Sequence, residues 1–80
     1  MGVKNAVVKR FKNICRERDI KANELAVISG VTPSSVYSMF DDKRQNVSIV
    51  LIKKLCDGLE ISLADFFDSD EFNSLEQEIE

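Results

Sequence analysis

Residues Ala22 to Asp41, ANELAVISGVTPSSVYSMFD, restrict the architecture of this 80-residue chain more than any other stretch. They read as two short helices joined by a tight turn, Ser29-Gly30-Val31-Thr32. Glycine takes the left-handed backbone that ends a helix without a steric penalty. Thr32 can cap the helix that follows, and Pro33 suits its first position, where no amide hydrogen is needed. Leu25, Ala26 and Ile28 before the turn, with Val31, Val36 and Met39 after it, form one apolar set that can close the two helices on each other.

The rest of the chain supplies more helices. Over residues 4–18, Val7, Val8, Phe11, Ile14 and Cys15 share one face at helical spacing, with Lys9, Lys12 and Arg16 near the opposite side. Ala22–Ser29 and Pro33–Phe40 are the helices of the pair; Lys21 stands where the first of them wants a Ser, Thr or Asp cap. A polar loop, residues 41–46, leads to Ser48, the expected cap of a helix over Ile49–Leu59 whose Ile52, Leu55, Cys56 and Leu59 face inward. Ser62-Leu63-Ala64-Asp65 resembles a capping box with Asp in place of Glu or Gln, and opens a short helix ending at Phe66-Phe67. In the acidic remainder, Phe72, Leu75 and Ile79 fall on one helical face, as a short docked amphipathic helix would place them. No strand pattern or repeat competes. The expected fold is all-α: five helices over residues 1–67, with residues 68–80 as an acidic extension that adds a sixth.

Composition sharpens this. A chain this short buries only about 60% of its unfolded surface, so one modest core is expected. The net charge of −3 hides a division. Residues 1–54 hold all eleven Lys and Arg against five acids, a net of +6, whereas residues 55–80 hold nine acids and no base. A basic body with an acidic end can still meet a polyanion. Cys15 and Cys56 sit inside apolar helical patterns, and the chain has no histidine and no zinc spacing. They read as reduced core thiols. There is no membrane-length apolar run and no signal peptide, so a cytoplasmic protein is expected. With no histidine, no paired thiolate motif and no glycine-rich phosphate loop, no enzymatic activity, metal, cofactor or small-molecule ligand is expected.

From about Val8 to Phe67 the chain resembles the lambda-repressor-like, Cro-type helix-turn-helix family, also called XRE-type regulators. The residues that carry the resemblance are Glu24-Leu25-Ala26, Ser29-Gly30-Val31-Thr32, Ser34-Ser35-Val36-Tyr37, Lys43-Arg44, Asn46, Ser48, Leu59 and Ile61-Ser62-Leu63. There are departures. Ala22 and Lys21 replace a common Gln and its preceding Thr cap. Cys15 and Phe40 occupy the positions of a buried Arg–Glu pair that links the first helix to the end of the recognition helix. Replacing both partners by apolar groups avoids stranding a buried charge. Asp42 stands for a loop glycine, where its tolerance of left-handed backbone would help, and Glu60 replaces a helix-ending glycine.

The resemblance implies a bacterial or phage transcriptional regulator that binds double-stranded DNA sequence-specifically. The helix at Pro33–Phe40 would enter the major groove, and the protein would act as a homodimer. Pro33, Ser34, Ser35, Tyr37 and Ser38 are the expected base-edge contacts; Lys21, Asn23, Lys43, Arg44 and Asn46 are the expected phosphate contacts. Serines discriminate weakly among base edges, and the helix offers no Arg, Gln or Asn for bidentate pairing. A protein-interaction module that keeps the fold but has lost DNA binding is the alternative. Phe72, Leu75 and Ile79 are its candidate contact face and equally a candidate dimer face.

Overall fold

The computed structural model describes residues 2–44, 46–75, 77 and 79. Among them it contains six helices and no strand: α1 (Val3–Arg18), α2 (Ala22–Ser29), α3 (Pro33–Phe40), α4 (Ile49–Leu59), α5 (Leu63–Phe67) and α6 (Asp70–Asn73).

Three of these helices end in the same way. At the close of α1, α2 and α4 the chain steps into left-handed backbone at Asp19 (φ 55°), Gly30 (φ 68°) and Glu60 (φ 60°). The next amide reaches back to a carbonyl in the last turn: Ile20 to Cys15 at 2.9 Å, Val31 to Ala26 at 3.1 Å, Ile61 to Cys56 at 3.0 Å. This is the Schellman arrangement, and its usual apolar contact is present each time, because Ile20, Val31 and Ile61 all pack against the core. Only Gly30 adopts this backbone at no steric cost. Asp19 suits it better than most residues, whereas Glu60 is strained there. Asp42 has no positive φ, so the left-handed backbone expected at that position of the α3–α4 loop is not adopted. Asp41 turns that loop instead: its carboxylate accepts the Lys43 amide at 3.0 Å and its carbonyl the Arg44 amide at 3.1 Å.

Helix starts follow the sequence closely. Thr32 Oγ1 accepts the Ser35 amide (3.3 Å), Ser48 Oγ those of Val50 and Leu51 (3.1 and 3.3 Å), and Ser62 Oγ that of Asp65 (3.0 Å). At α2 the Glu24 carboxylate accepts the Lys21 amide at 3.2 Å, while the Lys21 ammonium, having no acceptor atom, cannot return the bond.

The core joins Val7, Phe11, Ile14 and Cys15 of α1 to Leu25 and Ala26 of α2, Val36 and Met39 of α3, Ile52, Leu55, Cys56 and Leu59 of α4, and Phe66 of α5. Ile28 does not belong to it. The inward face of α2 is Leu25, Ala26 and Ser29, with Ser29 tight against Gly58 of α4, so Ile28 and Val27 turn to solvent at 50% and 74% exposure. Cys15 is buried and Phe40 packs on the core, as apolar replacements for an ion pair should. The link from α1 to the end of α3 is made elsewhere. Lys4, only 5% exposed, donates from Nζ to the Asp41 carbonyl at 2.6 Å, and the Lys12 ammonium lies 5.4 Å over the Phe40 ring.

Two other α1 cations close helix ends in the same manner. Arg18 donates to the Leu59 carbonyl at 2.7 Å, and Arg10 to the Phe66 and Asp65 carbonyls at 2.9 and 3.2 Å. A cation at a helix C-terminus satisfies orphan carbonyls and opposes the negative end of the dipole. Beyond α5, Phe72 completes an aromatic cluster, with its ring 4.8 Å from that of Phe67 and 5.7 Å from that of Phe66. The helix carrying Phe72 stops at Asn73, and Leu75 and Ile79 lie outside it, Ile79 at 86% exposure. The three-residue face therefore does not form as one surface, because Phe72 is drawn inward by its aromatic neighbours.

Candidate nucleic-acid interface

The Gly30 turn and the Thr32 cap fix how α3 leaves the core. Val36 and Met39 are buried, at 0% and 3% exposure, which turns Pro33, Ser34 and Tyr37 to solvent. Tyr37 is 54% exposed and so free to meet a ligand. Ser35 and Ser38 are half-buried beside them. The hydroxyls are not equivalent. Thr32 Oγ1 bonds the Ser34 hydroxyl at 3.1 Å and the Ser35 hydroxyl at 2.9 Å, besides accepting the Ser35 amide. Ser35 is thereby tied to the cap through both its amide and its hydroxyl.

A groove of about 310 Å³ runs between α3 and the start of α4. Ser34, Ser35 and Ser38 form one wall, Arg44 and Asn46 border it, and Val47, Ser48 and Leu51 lie along the other side. Five of the expected contact residues thus meet in one concave surface. Pro33 and Tyr37 stand on the exposed face of α3 outside the groove, and Lys43 is exposed in the turn. Lys21 and Asn23 are exposed at the start of α2.

The aspartates of the loop are both placed away from this groove. The Asp41 carboxylate is held by the Lys43 amide, and Asp42 borders a different groove, beside Lys12, Asn13 and Arg16 of α1. Asp68 to Glu71 of the acidic segment border a third, beside Lys9. No residue of that segment lines the α3–α4 groove among the described residues. The side chain that sequence reasoning missed is Lys4, which fastens the end of α3 to α1; a lysine at the first turn of an amphipathic helix gives no signal of burial.

Both thiols lie in the core. Burial pushes the Cys56 thiol up to about 11, with Asp57 adding to the effect, and burial also raises Cys15 against the opposing pull of Arg18. Neither is poised to react as a thiolate. Among the described residues no helix is long and apolar enough to cross a membrane.

Comparison with known proteins agrees with this geometry. A family model described as the Cro/C1-type HTH DNA-binding domain matches residues 10–71. A solved structure, described as the crystal structure of the prophage Lp1 protein 11, is 28% identical. It superposes with a TM-score of 0.81 over 94% of this chain and 100% of that one. No curated protein matches.

Proposed function

The chain belongs to the Cro/C1-type helix-turn-helix DNA-binding family, and on that footing we propose that it is a bacterial or phage transcriptional regulator that reads double-stranded DNA through α3. The observation that carries this reading is the polar face of α3. Its Ser34, Ser35 and Ser38 line one groove with Arg44 and Asn46, while Pro33 and Tyr37 project beside it.

In this reading Lys21, Asn23, Lys43, Arg44 and Asn46 hold phosphates and set register, and the α3 side chains read base edges. Ser34, Tyr37 and Ser38 do most of the reading, because Ser35 is engaged in the Thr32 cap. Hydroxyls both donate and accept, so each position tolerates several bases, and Tyr37 can pack on a thymine methyl. One such helix reads few bases. Two copies on a two-fold site are the usual remedy, and a homodimer on DNA is proposed on that ground. The contacts of Phe72 with Phe66 and Phe67 speak against a Phe72–Leu75–Ile79 stripe as its interface.

Selection from random duplex DNA at low and moderate salt tests the reading. Enrichment of a sequence built from two symmetric half-sites, with affinity falling as salt rises, is the expected result. Absence of any enriched sequence, together with no binding even at low salt, would sink it.

A further inference from the structure

Thr32 does more than cap α3. Its Oγ1 lies 3.3 Å from the Ser35 amide nitrogen, 3.1 Å from Ser34 Oγ and 2.9 Å from Ser35 Oγ. A threonine hydroxyl has one proton and two lone pairs. The Ser35 amide, which can only donate, takes one lone pair. One lone pair and one proton are left for two serine hydroxyls. Thr32 therefore accepts from one serine and donates to the other, and the three hydroxyls form a chain with a single sense.

Burial decides that sense. Ser34 is exposed, whereas Ser35 is half-buried and its hydroxyl has no partner except Thr32 among the described residues. If Thr32 donated to Ser35, the Ser35 proton would be left in half-buried space without a protein acceptor. If Ser35 donates to Thr32, each proton is placed. The Ser35 proton goes to Thr32, the Thr32 proton goes to Ser34, and the Ser34 proton turns outward, where water or a ligand accepts it. The second sense leaves fewer groups unmet and is the favoured one.

A free serine hydroxyl donates or accepts as its partner requires, and so discriminates weakly among base edges. Ser34 is not free in this way, because one of its lone pairs is filled by Thr32 and its proton points out. We propose that Thr32 is a positioning residue for base selection: through the Ser35–Thr32–Ser34 chain it makes Ser34 a hydrogen-bond donor. Ser34 is thereby directed to accepting edges, namely guanine N7 and O6, thymine O4 and adenine N7. Selection is exerted through Ser34, so Thr32 needs no base contact of its own. The inference rests on the DNA-binding reading and deepens it.

Site selection from random duplex DNA, with the full chain and its variants, tests the proposal. Ser34→Ala should erase the preference at the base pair that Ser34 reads, which identifies that position. Thr32→Asp keeps a cap at least as good as threonine but has no proton to donate. Its carboxylate accepts from both serine hydroxyls, so Ser34 turns its proton inward and offers lone pairs alone. The preference at the Ser34 position should then move to donating edges, adenine N6 or cytosine N4, by roughly 2- to 10-fold, the worth of one hydrogen bond. The added negative charge weakens binding evenly across sequences, so preference rather than affinity is the readout. Thr32→Ser keeps the hydroxyl and should retain the original preference. Ser35→Ala adds no charge; it releases the chain and should flatten the preference at the Ser34 position, and it decides the matter alone if Thr32→Asp fails to fold. An unchanged preference at that position in a folded Thr32→Asp or in Ser35→Ala would overturn the proposal, as would a Ser34→Ala variant that selects the original sequence. Those results leave the DNA-binding reading standing, since the unaltered chain still selects a site. Failure of the unaltered chain to select any sequence sinks both.

Discussion

Gly58→Ala is the substitution that most directly tests how α2, the first helix of the helix-turn-helix, is seated. A methyl group at Gly58 would overlap the Ser29 hydroxyl and come within 2.9 Å of Ser29 Cα and 3.0 Å of the Ile28 carbonyl oxygen. The hydroxyl can rotate away, but the two backbone atoms cannot, so α2 and α4 must separate. Overpacking of this kind costs about 1–3 kcal/mol. The better helix propensity of alanine returns about 0.5–1 kcal/mol. The net expectation is a loss of about 1–2 kcal/mol, and at about 4–8 °C per kcal/mol for a domain of this size the melting temperature should drop by about 4–16 °C. Thermal unfolding followed by helical circular dichroism measures it, with urea unfolding as a second reading. Adding Ser29→Ala separates the causes. The Ser29 Oγ is buried without a hydrogen-bond partner, so its removal alone should cost little. In the double variant the hydroxyl overlap is gone and the two backbone contacts persist, so recovery should be partial. Full recovery would show that the hydroxyl alone resists the methyl group, and an unchanged or raised melting temperature in Gly58→Ala would refute the close-approach argument altogether.

Glu60→Gly should stabilise the fold by about 0.5–1 kcal/mol, because it relieves a left-handed non-glycine costing about 1–2 kcal/mol against the entropy glycine adds to the unfolded chain; a lower melting temperature would contradict this. Lys4→Met keeps the buried stem but removes the donor to the Asp41 carbonyl, with an expected loss of about 1.5–3 kcal/mol, the range for hydrogen bonds to charged groups, read by urea unfolding. Native Cys56 should resist thiol reagents at pH 8 and react once urea unfolds the chain. Because its folded value of about 11 lies above the ordinary 9.0, the folded thiol keeps its proton where the unfolded one loses it, so its contribution to stability is full below pH 9 and declines between those two values. Arg44→Gln should weaken binding evenly across DNA sequences and reduce the log–log salt slope by about 1; unchanged affinity and slope would remove Arg44 from the phosphate contacts.

The helix pair was legible because its punctuation uses residues with narrow backbone preferences. Gly30, Thr32 and Pro33 permit little except a left-handed helix end followed by a capped start, and both are present. Ser48 and Ser62 announced their helices for the same reason. The endings at Asp19 and Glu60 were less legible, since neither residue demands positive φ; tertiary burial of Ile20 and Ile61 holds them there. Ile28 misled because helical periodicity alone cannot tell which flank of an apolar face a neighbouring helix will take. Ser29 occupies that place only because Gly58 lets α4 come close, a fact distributed over two distant positions. The tail misled in a related way: a face at Phe72, Leu75 and Ile79 is a statement about spacing, whereas the rings of Phe66 and Phe67 settle where Phe72 goes.

Net charge by region was the coarsest of the sequence signals, and the structure changes what it means. The +6 of residues 1–54 suggested a basic body able to meet DNA. Three of those cations instead stitch α1 to the ends of α3, α4 and α5, so they are stabilising contacts within the chain. Three more line a separate α1 groove, beside which an acidic segment already lies. Lys53 and Lys54 are exposed on α4, where Lys53 pairs with Asp57 one turn on. What remains around the start of α2 and the α3–α4 loop is Lys21, Lys43 and Arg44, three cations per copy. An overall acidic protein and a DNA-binding face are therefore compatible for a structural reason. Under the proposed reading the electrostatics that a duplex meets are set by these three cations, and the salt dependence of binding should scale with them rather than with all eleven.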